Sequence, residues 1–170
     1  MLESRLWYDI FTLWNIIYTD RMADKTNRLN KLCKKYGIIT GYLFGTQQAA
    51  GFRYLQGQMI AIEKTSDLDI GLLVKSPPDR MYEFYGNLYL DLSKLFEPFN
   101  VDIIFLHEVN ALFKYEIVCG RRIYASDERI ADEYEENIQK IASDLSLKRK
   151  IFEKDFYESI ENGYFEIELE

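Results

Sequence analysis

The chain has 170 residues, of which 48% are hydrophobic, 15% aromatic and 29% charged, and its formal net charge is −7. This length fits one domain, and the bulky apolar content excludes an intrinsically disordered chain, which has too little apolar surface to bury. The acidic balance excludes a broad basic face, so binding to nucleic acid through neutralised phosphates is not expected.

Cysteine usage and the N-terminal pattern bear on where the protein works. Cys33 and Cys119 form no CxxC or Cys/His cluster, which argues against a disulfide scaffold or a structural zinc site. Charged residues interrupt the apolar pattern at the N-terminus, so no signal peptide is predicted, and no apolar run reaches the length of a membrane span. These features predict a cytoplasmic protein that does not contact a membrane.

Helical patterns lie at both ends of the chain. Apolar residues recur at helical spacing over residues 2–18, and a second helix is predicted over residues 24–36, with Gly37 as its left-handed stop. A long amphipathic pattern over residues 127–162 predicts a C-terminal helix. We expect its apolar stripe to pack on the domain, on a partner or on a second copy in a homodimer.

Between these helices, short apolar runs alternate with helical patterns. Such alternation predicts an α/β or α+β fold, with a small mixed β-sheet flanked by helices. We expect a domain over residues 1–128, which includes the N-terminal helices, and a C-terminal helical extension over residues 129–170. Strands are predicted over residues 38–44, 67–74, 101–106 and 122–125, and helices over residues 79–96 and 109–119.

The sharpest local signal is a pair of aspartates at the start of an apolar strand. Asp67 and Asp69 stand two positions apart in the run SDLD, so in a strand both carboxylates point to one face. Adjacent anions repel each other and resist burial, so a cation is expected beside them. Mg²⁺ binds through one or two carboxylates plus substrate phosphates. The alternative is that Asp67 caps a turn and Asp69 enters the strand half exposed.

Two further features accompany the aspartate pair. Gly45 and Thr46 follow the first predicted strand and precede a predicted helix start, where a glycine, a hydroxyl and helix amides favour a phosphate. Asp102 lies one residue into the apolar run VDIIFL, where an unpaired acid is costly. Alternatively, the first feature is an ordinary turn and the second an exposed strand start. Taken together, the three acids and the turn predict a two-metal site for nucleotidyl transfer.

The runs LFGT, SDLDIGLLV and VDIIFL, in this order, resemble the motifs of the minimal nucleotidyltransferases of the DNA polymerase β superfamily. The resemblance implies a nucleotidyltransferase-like mixed sheet, a two-ion Mg²⁺ site, and ATP or another NTP as substrate. It also implies transfer of a nucleoside monophosphate to a hydroxyl. One recurring role in this family is that of an antitoxin that adenylylates a HEPN-type toxin, so a helical HEPN-type partner is implied as well.

The resemblance also assigns roles to individual residues. Three acids would be catalytic and would bind metal, the last of them as ligand or base, and three residues would bind the nucleotide. The acids are Asp67, Asp69 and Asp102, and the nucleotide-binding residues are Gly45, Thr46 and Ser66.

The chain departs from the family after the first strand. Thr46 stands where the family usually has serine, and the turn that follows is one residue longer and lacks the family's arginine. An insert then precedes the acidic pair, and it alternates around Gly57 like a hairpin, with residues 52–56 opposite 58–62. We expect this hairpin to present Arg53 or Lys64 to the phosphates or to cover the pocket.

Three functions are consistent with these residues. The first is AMP transfer to a toxin hydroxyl, the second is transfer to a small molecule of the aminoglycoside kind, and the third is a degenerate, non-catalytic interaction module. Little of the chain remains to build a small-molecule pocket, which favours a macromolecular acceptor. The three acids favour activity over the degenerate module, because a chain without activity has no reason to keep costly carboxylates.

Overall fold

The computed structural model describes residues 24–58, 60, 66–76 and 80–162. The helix predicted over residues 2–18 lies outside this part of the chain. The described part forms four strands and five α-helices, with one short 3₁₀ turn after the third strand. In chain order these are α1 (24–35), β1 (Ile38–Phe44), α2 (Gln48–Leu55), β2 (Leu68–Val74), α3 (Met81–Phe96), β3 (Val101–Phe105), the 3₁₀ turn Leu106–Glu108, α4 (Ala111–Val118), β4 (Arg121–Ala125) and α5 (Glu128–Glu161).

The predicted elements over residues 24–162 are confirmed to within two residues, except in the insert. Local stop and start signals account for this agreement. The chain leaves α1 through Gly37, which has a φ of +62° that a glycine adopts without strain. At the start of α5, the Asp127 side chain accepts a hydrogen bond from the backbone N–H of Ile130, as an N-cap does.

The hairpin predicted around Gly57 is wrong. Residues 52–55 form the second half of α2, and Gly57, with a φ of +74°, follows the end of that helix. Gly51 and Leu55 are buried four positions apart on one face of α2. An added Cβ at Gly51 would lie only 3.1 Å from Leu43 Cδ1. The alternating pattern of a short segment fits either a strand or one face of a helix. Here the close packing of Gly51 against the sheet selects the helix.

The four strands form one mixed sheet in the order β3-β2-β1-β4. Strand β1 is antiparallel to β2 and β4, whereas β2 and β3 are parallel and are joined through α3. Helices α1, α2 and α3 pack on one face through residues such as Leu29, Leu55 and Leu92. The other face carries α4 and the start of α5, with Ile117 and Tyr134 in contact with it. This is the predicted small mixed sheet flanked by helices.

The long helix α5 is fixed to the sheet at its beginning. Arg122 of β4 pairs with three carboxylates of α5, at 3.0 Å from Glu128, 2.7 Å from Asp132 and 2.9 Å from Glu135. The Tyr42 hydroxyl donates to the same Glu135 carboxylate at 2.9 Å. From residue 143 to 158 every position of α5 is exposed. Within the described ranges, no helix combines the length and hydropathy that crossing a bilayer requires.

Candidate active site

Two of the predicted acids face each other across neighbouring strands. In the parallel pair β2–β3, Asp69 lies opposite Asp102, and residues paired in this way project from the same face of a sheet. That face is the one under α4, since an added Cβ at Gly71, two residues after Asp69, would clash with Ile117 of α4. The two carboxylates therefore lie on one face, at the end of the sheet where β2 and β3 begin.

Asp67 lies one residue before β2 and is exposed, so only Asp69 of the predicted pair belongs to the strand. Burial raises the pKa of Asp69 above its usual range, and the carboxylates of Asp102 and then Asp67 raise it further. Both neighbours act on Asp69 as like charges, which disfavour its ionised form. The three acids therefore lie close enough to interact electrostatically.

The turn after β1 lies directly against this cluster. Gly45 has a φ of +70°, and an added Cβ there would clash with Asp69 Oδ2 and lie 3.2 Å from its Cγ. Thr46, which follows in the same turn, is exposed. Glycine is thus required at position 45 both for its backbone conformation and because the Asp69 carboxylate occupies the space of a side chain.

A buried glutamine ties this turn to the segment that carries the acids. The Gln47 side-chain amide donates to the carbonyl of Ser66, the residue before Asp67, and Gln47 is only 4% exposed. The Ser66 hydroxyl itself is buried and has no hydrogen-bond partner among the described residues. Gln47 was not predicted as a site residue, because its burial depends on the tertiary contact and no local pattern indicates it.

The beginning of α2 adjoins the same turn. Gln47 occupies the N-cap position without a side-chain cap, and no acidic residue lies in the first turn. The first backbone N–H groups of such a helix favour an anion. Arg53, which the sequence predicts to face the phosphates, lies in the last turn of α2 and is exposed. Lys64 lies outside the described residues.

An aromatic residue borders the site on the side of β3. Burial raises the pKa of Tyr85 of α3, and the Asp102 carboxylate raises it further. The Tyr85 ring packs edge-on against Phe105 and stacks on Tyr89, with centroids 6.1 and 6.3 Å apart respectively. Both tyrosines are more than a third exposed. The edge of the site next to Asp102 therefore includes the partly exposed ring of Tyr85, which stacks on Tyr89.

The donor set fits a hard divalent cation that also contacts a substrate. Among the described residues, no three His, Cys, Asp or Glu side chains converge tightly enough to hold an ion by themselves. Mg²⁺ does not require such a set, since it usually binds through one or two carboxylates, waters and substrate phosphates. Burial, and after it the carboxylates of Asp102 and Asp67, raise the pKa of Asp69, and a nearby cation would act in the opposite direction by favouring the ionised form.

Comparison with solved structures identifies the fold. A double Asp-to-Glu mutant of the MntA toxin–antitoxin complex matches with a TM-score of 0.55 at 16% identity, over 78% of this chain and 98% of that one. A tri-AMPylated Shewanella oneidensis HEPN toxin in complex with MNT antitoxin matches with 0.52 at 16%, over 80% and 98%. A toxin–antitoxin complex with AMP-PNP matches with 0.53 at 18%, over 78% and 98%. At these identities the likeness establishes the fold, that of minimal nucleotidyltransferase antitoxins.

Comparison of sequences identifies the family. No curated protein matches the chain in sequence. The family described as "Polymerase beta, Nucleotidyltransferase" matches residues 27–129, a segment that runs from α1 to the start of α5 and contains every described residue of the acidic cluster and the glycine turn. The chain therefore belongs to the polymerase β nucleotidyltransferase family.

Proposed function

We propose that this chain is a Mg²⁺-dependent nucleotidyltransferase that transfers AMP from ATP to a hydroxyl of a HEPN-type protein partner. One observation carries the proposal: Asp69 and Asp102 are paired on adjacent parallel strands, with the Gly45 turn packed against the Asp69 carboxylate. A structural role alone does not explain this arrangement, because clustered carboxylates destabilise one another unless a cation compensates them.

In the proposed reaction, the oxygen of the acceptor hydroxyl forms a bond to the α-phosphorus of ATP, and the bond from that phosphorus to pyrophosphate breaks. Asp67 and Asp69 would hold Mg²⁺, which supplies charge neutralisation and orientation of the triphosphate. Asp102 would accept the hydroxyl proton or act as a further ligand. Pyrophosphate leaves with the electron pair of the broken P–O bond, and the transferred AMP keeps one negative charge on its phosphodiester.

The phosphates of the substrate would lie against the glycine turn. The Thr46 hydroxyl and the first amides of α2 are donors for the phosphate oxygens, and the Gly45 turn places them next to the Asp69 carboxylate. We propose Ser66 as a further contact of the nucleotide, through the segment that Gln47 holds in place. Arg53, exposed in the last turn of α2, is proposed as a further cation near the phosphates.

Solved structures of the same fold support the choice of nucleotide and partner. They include an AMPylated HEPN toxin with its MNT antitoxin and a toxin–antitoxin complex with AMP-PNP. Another carries two Asp-to-Glu replacements two positions apart, which is the spacing of Asp67 and Asp69. We propose that residues 129–170 form the extension of the domain predicted above, and that its exposed part, residues 143–158, is available to a partner.

The first test is calorimetric titration of ATP into the protein, with Mg²⁺ and with EDTA. We expect binding that requires Mg²⁺ and that is lost in the double variant Asp67→Asn/Asp69→Asn, which keeps the side-chain shape but removes two metal-binding charges. The matched control is Asp144→Asn, an exposed acid on α5, which should bind as the wild type does. Absence of binding in the wild type, or equal binding in the double variant, contradicts the proposal.

The second test concerns the acceptor. The protein is incubated with a HEPN-type protein and ATP labelled either at the α- or at the γ-phosphate. Transfer of AMP predicts that the partner acquires the α-label and not the γ-label, only in the presence of Mg²⁺. Appearance of the γ-label on the partner would instead identify phosphoryl transfer, and labelling that survives in Asp69→Asn would exclude this site as its origin.

A further inference from the structure

We infer that Arg121 of β4 is the cation that binds the distal phosphates of the nucleotide, in place of the arginine that the β1–α2 turn lacks. The inference rests on the proposed nucleotide site and concerns one residue of it. The turn after β1 lacks positive charge, since none of the residues from Gly45 to Gly51 is basic. A triphosphate nevertheless brings several negative charges to a protein whose net charge is already −7.

The register of the sheet brings Arg121 to the end of β1. Leu43 lies opposite Arg121 in the antiparallel pair β1–β4, and Gly45 follows Leu43 by two residues. The chain enters β4 in close contact with β1, since an added Cβ at Gly120 would clash with the Leu43 carbonyl and lie 3.0 Å from Phe44 Cβ. The backbone of Arg121 thus lies at the same end of the sheet as the glycine turn.

The side chain of Arg121 then extends over α2. Its Cζ lies 5.0 Å from the centroid of the Phe52 ring, within the range of a cation–π contact. Phe52 lies four residues after Gln48, the first residue of α2, which is about 6 Å along the helix axis. The guanidinium therefore lies over the middle of α2, about one helical turn from the amides at the start of the helix that favour an anion.

The charge of Arg121 is also available. Its neighbour Arg122 pairs with three carboxylates, whereas Arg121 is exposed and forms no ion pair within the part of the chain that the structure describes. An arginine presents a planar fork of donors that matches phosphate oxygens. The Phe52 ring supports that fork without neutralising it, so the residue is oriented and still free to bind an anion.

The test is calorimetric titration of Mg²⁺–ATP and of AMP into the full chain as wild type and as Arg121→Ala. AMP lacks the β- and γ-phosphates, so it reports the rest of the site. We expect the affinity for Mg²⁺–ATP to fall about 10- to 100-fold, the range of a hydrogen bond to a charged group, and the affinity for AMP to change less than about twofold. Arg121→Lys, which keeps the charge but not the fork, should fall between the two.

Two controls separate this contact from other effects. Arg129→Ala removes an exposed arginine of α5 that pairs with Glu133 at 2.6 Å, and it should leave both affinities unchanged. Thermal unfolding of Arg121→Ala should match the wild type, since the side chain is exposed. Unchanged ATP affinity in Arg121→Ala, or an equal loss for ATP and AMP, would overturn the inference and leave the nucleotide site standing. Failure of the wild type to bind Mg²⁺–ATP would instead overturn the proposed function and this inference together.

Discussion

At the start of β2 and β3, the carboxylates of Asp67, Asp69 and Asp102 lie together, and no described residue pairs a positive charge with them. Beside β4, in contrast, the guanidinium of Arg122 pairs with three carboxylates. In the first cluster the pKa of Asp69 is raised. In the second the hydrogen bond to Asp132 and the neighbouring acids raise the pKa of Arg122, so its charged form is stabilised. Pairs of opposite charge hold the start of α5 on the sheet, whereas the like charges of the first cluster are unbalanced and match the Mg²⁺ site proposed above.

The largest effect is expected from Asp69→Asn. The variant keeps the shape of the side chain and removes the charge at the centre of the unbalanced cluster, so AMP transfer should fall by at least about 100-fold, as when a key electrostatic group is lost from an active site. The folded protein without Mg²⁺ should not become less stable, because a repelling charge is removed. Rates of AMP transfer and thermal unfolding check the two halves. A clear loss of stability would mean that the acid cluster is structural, like that of Arg122.

Two glycines with similar backbone conformations provide the next test. Gly45→Ala and Gly37→Ala both put a side chain at a φ above +60°, and each should cost about 1–2 kcal/mol of unfolding free energy. Only at Gly45 would the new Cβ displace Asp69, since nothing lies within 4 Å of a Cβ at Gly37. Mg²⁺–ATP affinity should therefore fall in Gly45→Ala alone. Equal affinities in the two variants would separate the glycine turn from the site.

The Arg122 cluster should respond to Arg122→Ala by a loss of stability. Glu128 and Asp132 are 74% and 63% exposed, so solvent screens their pairs, and the contact with Glu135 at 31% exposure dominates. We expect a loss of about 1 kcal/mol in unfolding free energy. Arg129→Ala, which removes an exposed pair within α5, should cost about 0.3–0.5 kcal/mol. Denaturant unfolding measures both, and equal losses would show that Arg122 is no more than a surface pair.

The smallest effect is the pH dependence that distinguishes the clusters. A carboxyl group whose pKa is raised by folding contributes stability that is present at acidic pH and lost as the pH rises through the folded pKa. Without Mg²⁺, the wild type should therefore lose stability relative to Asp69→Asn between acidic and neutral pH. Denaturant unfolding of both proteins across this interval gives the difference. A constant difference would mean that Asp69 titrates normally, and the first cluster would not be unbalanced.

Much of the fold follows from local sequence patterns, and the wrongly predicted hairpin shows what such patterns cannot determine. Apolar periodicity with glycine and cap signals predicts α1, β1 and α5 because these signals act within a few residues. The alternation after Gly51 predicts a hairpin, but so short an alternation also fits one face of a helix. The contact of Gly51 with the sheet selects the helix, and no local sequence pattern indicates that contact.

The sequence by itself determined the chemistry available to this protein: three aspartates in or next to two strands, a glycine turn after β1, and the family to which these motifs are similar. Only the tertiary structure decided which of these groups meet. The register of β2 with β3 sets Asp69 opposite Asp102, and that of β1 with β4 brings Arg121 to α2. Residue types and their spacing act locally, whereas the pairing of strands depends on packing between segments far apart in the chain.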